Sequence, residues 1–120
     1  MPVRAVRGAT QLSADDPTEM AEAVVELLEQ ILERNQLTID DLISVLFTAT
    51  PDLSSEFPAA AARTVGLGDV PLLCAQEIDV IGALPRVVRV MLHGESSRPL
   101  SKIVHIYLRG AEVLRKDLAQ

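Results

Sequence analysis

The stretch V-P-L-L-C-A-Q-E-I-D-V-I-G-A-L-P-R-V-V-R-V-M-L-H, Val70 to His93, decides how the rest of the chain is read. It holds two apolar segments joined by a short link, and both carry polar or charged residues where a plain core strand would not. The first segment closes on Cys74-Ala75-Gln76-Glu77. The second sets Arg89 among valines, and strand alternation puts Arg89 on one face with Val87 and Met91. A guanidinium on an apolar face is costly unless an anion meets it. Two arrangements satisfy that demand: Glu77 as the anion, or a bound ligand that carries charge of its own.

Working outward, 120 residues bound the chain to a single domain, 1–120, with a core of its own. A hydrophobic content of 48% and a mean hydropathy of +0.25 are high for a small soluble monomer, so part of the surface is expected to be covered in an oligomer. No apolar run reaches bilayer length, and M-P-V-R-A-V-R lacks a signal-peptide core. Its one cysteine allows no internal disulfide. A cytoplasmic setting is therefore expected. A net charge of −6 and 2% aromatic residues argue against nucleic-acid binding. Of 11 basic residues only Lys102 and Lys116 are lysine. Genome composition explains such a bias readily, but arginine forks also suit anionic small molecules.

Upstream, Pro2 to Thr10 alternates as a strand, with Val3, Ala5, Arg7 and Ala9 on one face. Gln11 to Asp15 is a polar loop. Asp16-Pro17-Thr18-Glu19 is a helix start with the pattern of a capping box, and the helix is predicted to reach Arg34 and stop at Asn35. Met20, Val24, Leu27, Leu28 and Ile31 form its apolar stripe; Glu19, Glu22, Glu26, Glu29 and Glu33 form a solvated one. A capped turn at Thr38–Asp41 precedes a strand, Ile43 to Thr50, ended by Pro51. Phe57 to Val65 is a short helix with Pro58 at its first position, closed by Gly66 and Gly68. After Val70–His93 come a turn at Gly94–Pro99 and a strand at Ile103–Leu108 with His105 and Tyr107 on one face. The order β-α-β-α-β-β-β gives an α+β (α/β-like) sheet packed on one long helix, with one sheet face or edge left for another subunit.

Metal and nucleophile chemistry find little support. His93, His105 and Cys74 have no ligand spacing, and nothing near Cys74 in sequence supplies a base. G-L-G at 66–68 lacks the length and lysine of a phosphate loop. Glu77 and Asp79 make a carboxylate pair that is ordinarily just solvated. What remains is a set of arginines on or beside strands, Arg7, Arg63, Arg89 and Arg115, with Tyr107 as a neutral donor. Singly each is most simply a salt-bridged structural residue. Together with Glu77 and Cys74 they suit a polyanion that carries a hydroxyl.

R-A-V-R-G-A-T at the N-terminus, T-A-T-P-D-L at 48–53, F-P-A-A-A-A-R at 57–63, C-A-Q-E-I-D-V at 74–80, R-V-M at 89–91 and H-I-Y-L at 105–108 carry a resemblance. Collinear and covering nearly the whole chain, they resemble the AroH-type monofunctional chorismate mutases. The resemblance implies a pseudo-α/β barrel in a homotrimer, with active sites in clefts between subunits. It also implies the Claisen rearrangement of chorismate to prephenate in phenylalanine and tyrosine biosynthesis, which needs no metal, nucleophile or cofactor. Arg89 would face the ether oxygen as its negative charge grows. Glu77 would accept from the ring hydroxyl and hold Arg89, with Cys74 beside it in support. Arg7 and Tyr107 would take a carboxylate. Phe57, Ala59, Arg63 and the main chain at Leu73 would form a wall from the neighbouring subunit, and Arg115 would help close the site. Ala60 stands where the family often has lysine, which implies weaker substrate capture with the chemistry intact. The alternatives are a non-catalytic chorismate- or prephenate-binding regulator and a trimeric imine deaminase of the RidA type.

Overall fold

The computed structural model describes residues 1–114, and these form a five-stranded mixed sheet with a layer of helices on one face. In chain order the elements are β1 (Val3–Gln11), α1 (Pro17–Arg34), β2 (Leu42–Ala49), α2 (Pro58–Thr64), β3 (Leu72–Gln76), β4 (Val87–Glu95) and β5 (Ile106–Leu108). This is the order expected from the sequence. Short 3₁₀ turns at Ile39–Asp41, Leu67–Asp69, Leu100–Lys102 and Ala111–Leu114 fill the connections. The strands lie in the order β3-β2-β4-β1-β5, antiparallel about β4 and parallel at both edges.

Helix α1 begins where its cap chemistry says. The Asp16 carboxylate accepts the Glu19 N–H at 2.8 Å, and Pro17 occupies the first turn. The second half of the expected capping box is not made. Glu19 instead turns outward and accepts from the Ser13 N–H at 2.6 Å, the Ser13 hydroxyl at 2.9 Å and the Ala14 N–H at 3.2 Å, binding the Gln11–Asp15 loop to the helix. The apolar stripe Met20, Val24, Leu27, Leu28 and Ile31 is buried against the sheet. Each such side chain contributes about 1.5–3 kcal/mol of gross burial energy. At the other end Asn35 is only 1% exposed. Its amide donates to the Ile31 and Val104 carbonyls, both at 2.9 Å, and its oxygen accepts the Val104 N–H at 2.8 Å. Asn35 therefore does more than stop the helix: it fixes the segment that leads into β5.

Two glycines mark close approaches. A Cβ on Gly8 would lie 3.0 Å from Ile31 Cδ1 and from the Ile106 carbonyl oxygen, so the bare backbone lets α1 settle onto β1. Gly94, expected to open a turn, lies within β4, where a Cβ would meet the Asp41 carbonyl oxygen at 3.3 Å. The strand continues to Glu95 because the glycine clears the β2 entry; it does not bend the chain. The last strand is shorter than Ile103–Leu108. The His105 ring accepts the Arg7 N–H through Nδ1 at 3.0 Å, at the point where a longer β5 ladder would take it.

The helix layer covers Val6, Gly8 and Thr10 of β1, Val45 and Phe47 of β2, and Val88, Val90 and Leu92 of β4, all buried. The other face is open over much of its area. It exposes Val3, Leu46 and Leu73 at 54%, 36% and 60%, a fraction that water alone does not favour. At one end a second small cluster of Ala9, Val87, Tyr107 and Ala111 closes it.

Candidate active site

Sheet register aligns the polar residues of the open face. Tyr107, Ala9, Arg89, Thr48 and Ala75 are successive neighbours across β5, β1, β4, β2 and β3. Directly opposed residues share a face, so these side chains form one row. The next row is Arg7, Met91, Leu46 and Leu73. Between the rows lies a cavity of about 430 Å³ whose polar lining is Arg7, Thr48, Arg89 and Tyr107.

Arg89 is met by Glu77, one of the arrangements that its position demanded. Its Nε lies 3.1 Å from Glu77 Oε2, with the arginine side chain 46% and the glutamate 16% exposed. A half-exposed pair of this kind adds about 0–1 kcal/mol to stability, so its main consequence is orientation. With Nε engaged, the two terminal nitrogens have no protein partner among the described residues, and the Arg89 residue lines the cavity. The Thr48 hydroxyl donates to the same Oε2 at 2.6 Å. Glu77 Oε1 is left without a partner among the described residues. The Glu77 main chain is also fixed, its N–H bonded to the Ala49 carbonyl at 2.9 Å.

Beneath Arg89 the T-P-D sequence at 50–52 makes a clasp. The Thr50 hydroxyl accepts the Val87 N–H at 3.0 Å and donates to Asp52 Oδ1 at 2.5 Å; Asp52 accepts the Arg86 N–H at 3.0 and 3.2 Å. The end of β2 is thereby tied to the start of β4. Arg86 is held at φ 53°, a left-handed conformation that the clasp and its Nε bond to the Leu12 carbonyl maintain.

The other residues singled out from the sequence divide. Cys74 does not stand beside Glu77 within one chain. The two are an odd number of residues apart on an extended segment, so Cys74 turns to the helix-covered side and packs at the margin of the core. There it borders a groove of about 240 Å³ with Phe57, which is 68% exposed. Ala59 is buried in α2 at 4%, and Arg63 is exposed on the same helix. Leu73 is exposed on the edge strand β3. Arg115 lies outside the described residues. Thr48 is the site residue that the sequence reading passed over. Its signal was a hydroxyl on an apolar strand, on the face that alternation assigns to Leu46.

Two arginines and a tyrosine around a cavity on the open sheet face, with a carboxylate beside Arg89, suit a small anionic ligand. Comparison with known proteins makes this specific. Residues 3–118 match the family model described as chorismate mutase type I. The chain is 45% identical over 117 residues to chorismate mutase AroH of Thermus thermophilus, spanning 97% of this chain and 96% of that protein. It is 41% identical over 120 residues to chorismate mutase AroH of Bacillus subtilis, spanning 99% and 94%. A solved chorismate mutase from Clostridium thermocellum superposes with a TM-score of 0.90 at 43% identity, covering 92% of this chain and 98% of that one. The chain belongs to the type I chorismate mutase family. The imine deaminase alternative is thereby set aside.

Proposed function

We propose that this chain is a single-domain chorismate mutase that rearranges chorismate to prephenate, an isomerase serving aromatic amino acid biosynthesis in the cytoplasm. The observation that carries the proposal is the pairing of Arg89 with Glu77 at the edge of a cavity that also presents Arg7 and Tyr107. Chorismate is a dianion with a ring hydroxyl. Arg7 and the Tyr107 hydroxyl hold a carboxylate, which selects the compact conformer from a flexible molecule. The terminal nitrogens of Arg89 then face the ether oxygen. Charge on that oxygen grows as the C–O bond breaks, so the contact strengthens along the reaction and lowers the barrier. Glu77 Oε1 accepts the ring hydroxyl, while Oε2 keeps Arg89 aligned.

Cys74, Phe57, Ala59 and Arg63 sit around α2 and the β3 edge, away from the Arg89 cavity of their own chain. They complete the cleft when a neighbouring copy brings that edge over the open face, with Leu73 at the seam. This accounts for the exposed Val3, Leu46 and Leu73 and supports a homotrimer with shared sites. Among the described residues no helix is long and apolar enough to cross a membrane, in keeping with a cytoplasmic enzyme.

The test mixes the protein with chorismate, follows loss of its ultraviolet absorbance, and identifies prephenate by acid conversion to phenylpyruvate. Arg89→Ala is expected to lower kcat about 10²–10³-fold, about 3–4 kcal/mol, the loss typical of a group opposing oxyanion charge. A near-wild-type rate in that variant refutes the mechanism. Binding of chorismate without turnover by the wild type points to the regulator instead.

A further inference from the structure

We propose that Thr48 is a positioning residue for the rearrangement: its hydroxyl fixes Glu77, and Glu77 in turn aims Arg89. The inference deepens the reading above and rests on it. Thr48 is the direct cross-strand partner of Arg89, on the same sheet face, and its hydroxyl donates to Glu77 Oε2 at 2.6 Å. That oxygen also receives Arg89 Nε at 3.1 Å, so the two donors converge on one atom.

The glutamate has to cross from the end of β3, past β2, to reach β4. Its backbone is held by the Ala49 carbonyl, but its side chain keeps several rotatable bonds. The ion pair alone restrains them weakly, because Arg89 is half in water. The hydroxyl adds a second, short and directional charge-assisted contact to the carboxylate. Threonine is also stiff about χ1, so the strand fixes where the hydroxyl points before any ligand arrives. With Oε2 occupied by Thr48 and Arg89, Oε1, which has no partner among the described residues, is the acceptor left for the ligand hydroxyl. Without the hydroxyl, Glu77 can rotate and Arg89 loses its direction. Among the described residues Arg7 and Tyr107 make no hydrogen bond or ion pair with Thr48 or Glu77, so carboxylate binding is left intact.

The experiment compares wild type, Thr48→Val and Thr48→Ser by steady-state kinetics on chorismate, with thermal melting of each. Valine keeps the branched shape and removes the hydroxyl; serine keeps the hydroxyl and removes the methyl. The expected result is a fall in kcat of about tenfold or more for Thr48→Val, with KM within about twofold and the melting temperature nearly unchanged. Thr48→Ser is expected to recover kcat to within about threefold of wild type. If valine lowers the melting temperature by more than a few degrees, Thr48→Ala tests the loss of the hydroxyl in its place. An active wild type with an equally active Thr48→Val overturns the inference while leaving the enzyme assignment standing. So does a serine variant as impaired as valine, since the position would then act through its methyl. A wild type that leaves chorismate unchanged removes the assignment, and the inference with it.

Discussion

Replacing Asn35 with leucine tests how the far end of the long helix supports the site. The change keeps the branched heavy-atom outline, with bulkier methyl ends, while removing three side-chain hydrogen bonds. The Ile31 carbonyl retains the Asn35 main-chain N–H at 3.2 Å and stays satisfied. The Val104 N–H and carbonyl have no such substitute, and Asn35 itself is only 1% exposed. Leaving a buried polar group unpaired costs about 1–3 kcal/mol, so two partly buried ones give roughly 2–4 kcal/mol. For a chain of this size that is a fall in Tm of about 10–20 °C at fixed protein concentration. The damage should also reach function. Val104 precedes His105, whose ring accepts the Arg7 N–H, and Tyr107 follows on β5. Differential scanning calorimetry at matched concentration, paired with chorismate turnover at a temperature where the variant stays folded, reads both effects. A Tm within 2–3 °C of wild type, about 0.5 kcal/mol, would show that the Val104 groups find water easily and that Asn35 is no anchor.

Three further outcomes follow from the same contacts. Gly8→Ala forces a methyl against the Ile106 carbonyl and Ile31, each 3.0 Å away, and should cost about 1–3 kcal/mol in urea denaturation. Glu19 is held below the ordinary glutamate value of 4.5, chiefly by the Ser13 N–H and then its hydroxyl, against a smaller opposing push from desolvation. A lowered carboxyl contributes stability that is full above 4.5 and is lost as pH falls through the lower folded value. Glu19→Gln should therefore have a Tm that falls less than wild type on acidification, and parallel acid profiles would refute the tie. Ala60→Lys should lower KM for chorismate and leave kcat unchanged, because in the proposed trimer α2 of a neighbouring copy would bring the added charge to the shared cleft without touching Arg89; an unaltered kcat/KM would count against it.

Much of the frame was legible because local chemistry and global packing agree. The Asp16-Pro17 start, the stripe from Met20 to Ile31 and the alternation of β1 each have a single reading that burial then rewards. An arginine on a strand face has to be answered, and of the two answers the sequence left open, Glu77 or a charged ligand, the structure shows the first. The misreadings come from residues whose purpose is set by a distant neighbour. Gly94 has a turn's composition, but it is small because Asp41 is close. Glu19 fits a capping box, yet Ser13 and Ala14 offer it better donors. His105 stands on an apolar run whose strand its own ring cuts short. Cys74, three residues before Glu77, faces the helix-covered side of its own chain, as the odd spacing dictates. Thr48 became visible only when the register put it opposite Arg89.

The sheet that keeps Arg89 on one side and Cys74 with Phe57 on another also sorts the damage that mutation can do. In the trimer proposed above, a lesion on the open face and a lesion at the α2–β3 edge would strike different halves of one shared cleft. Two chains, each silenced in a different half, would rescue one another on co-assembly, since every mixed ring contains an interface where both contributing halves are intact. Under that proposal loss of function becomes a property of pairings between chains, and alleles that fail alone would complement when expressed together.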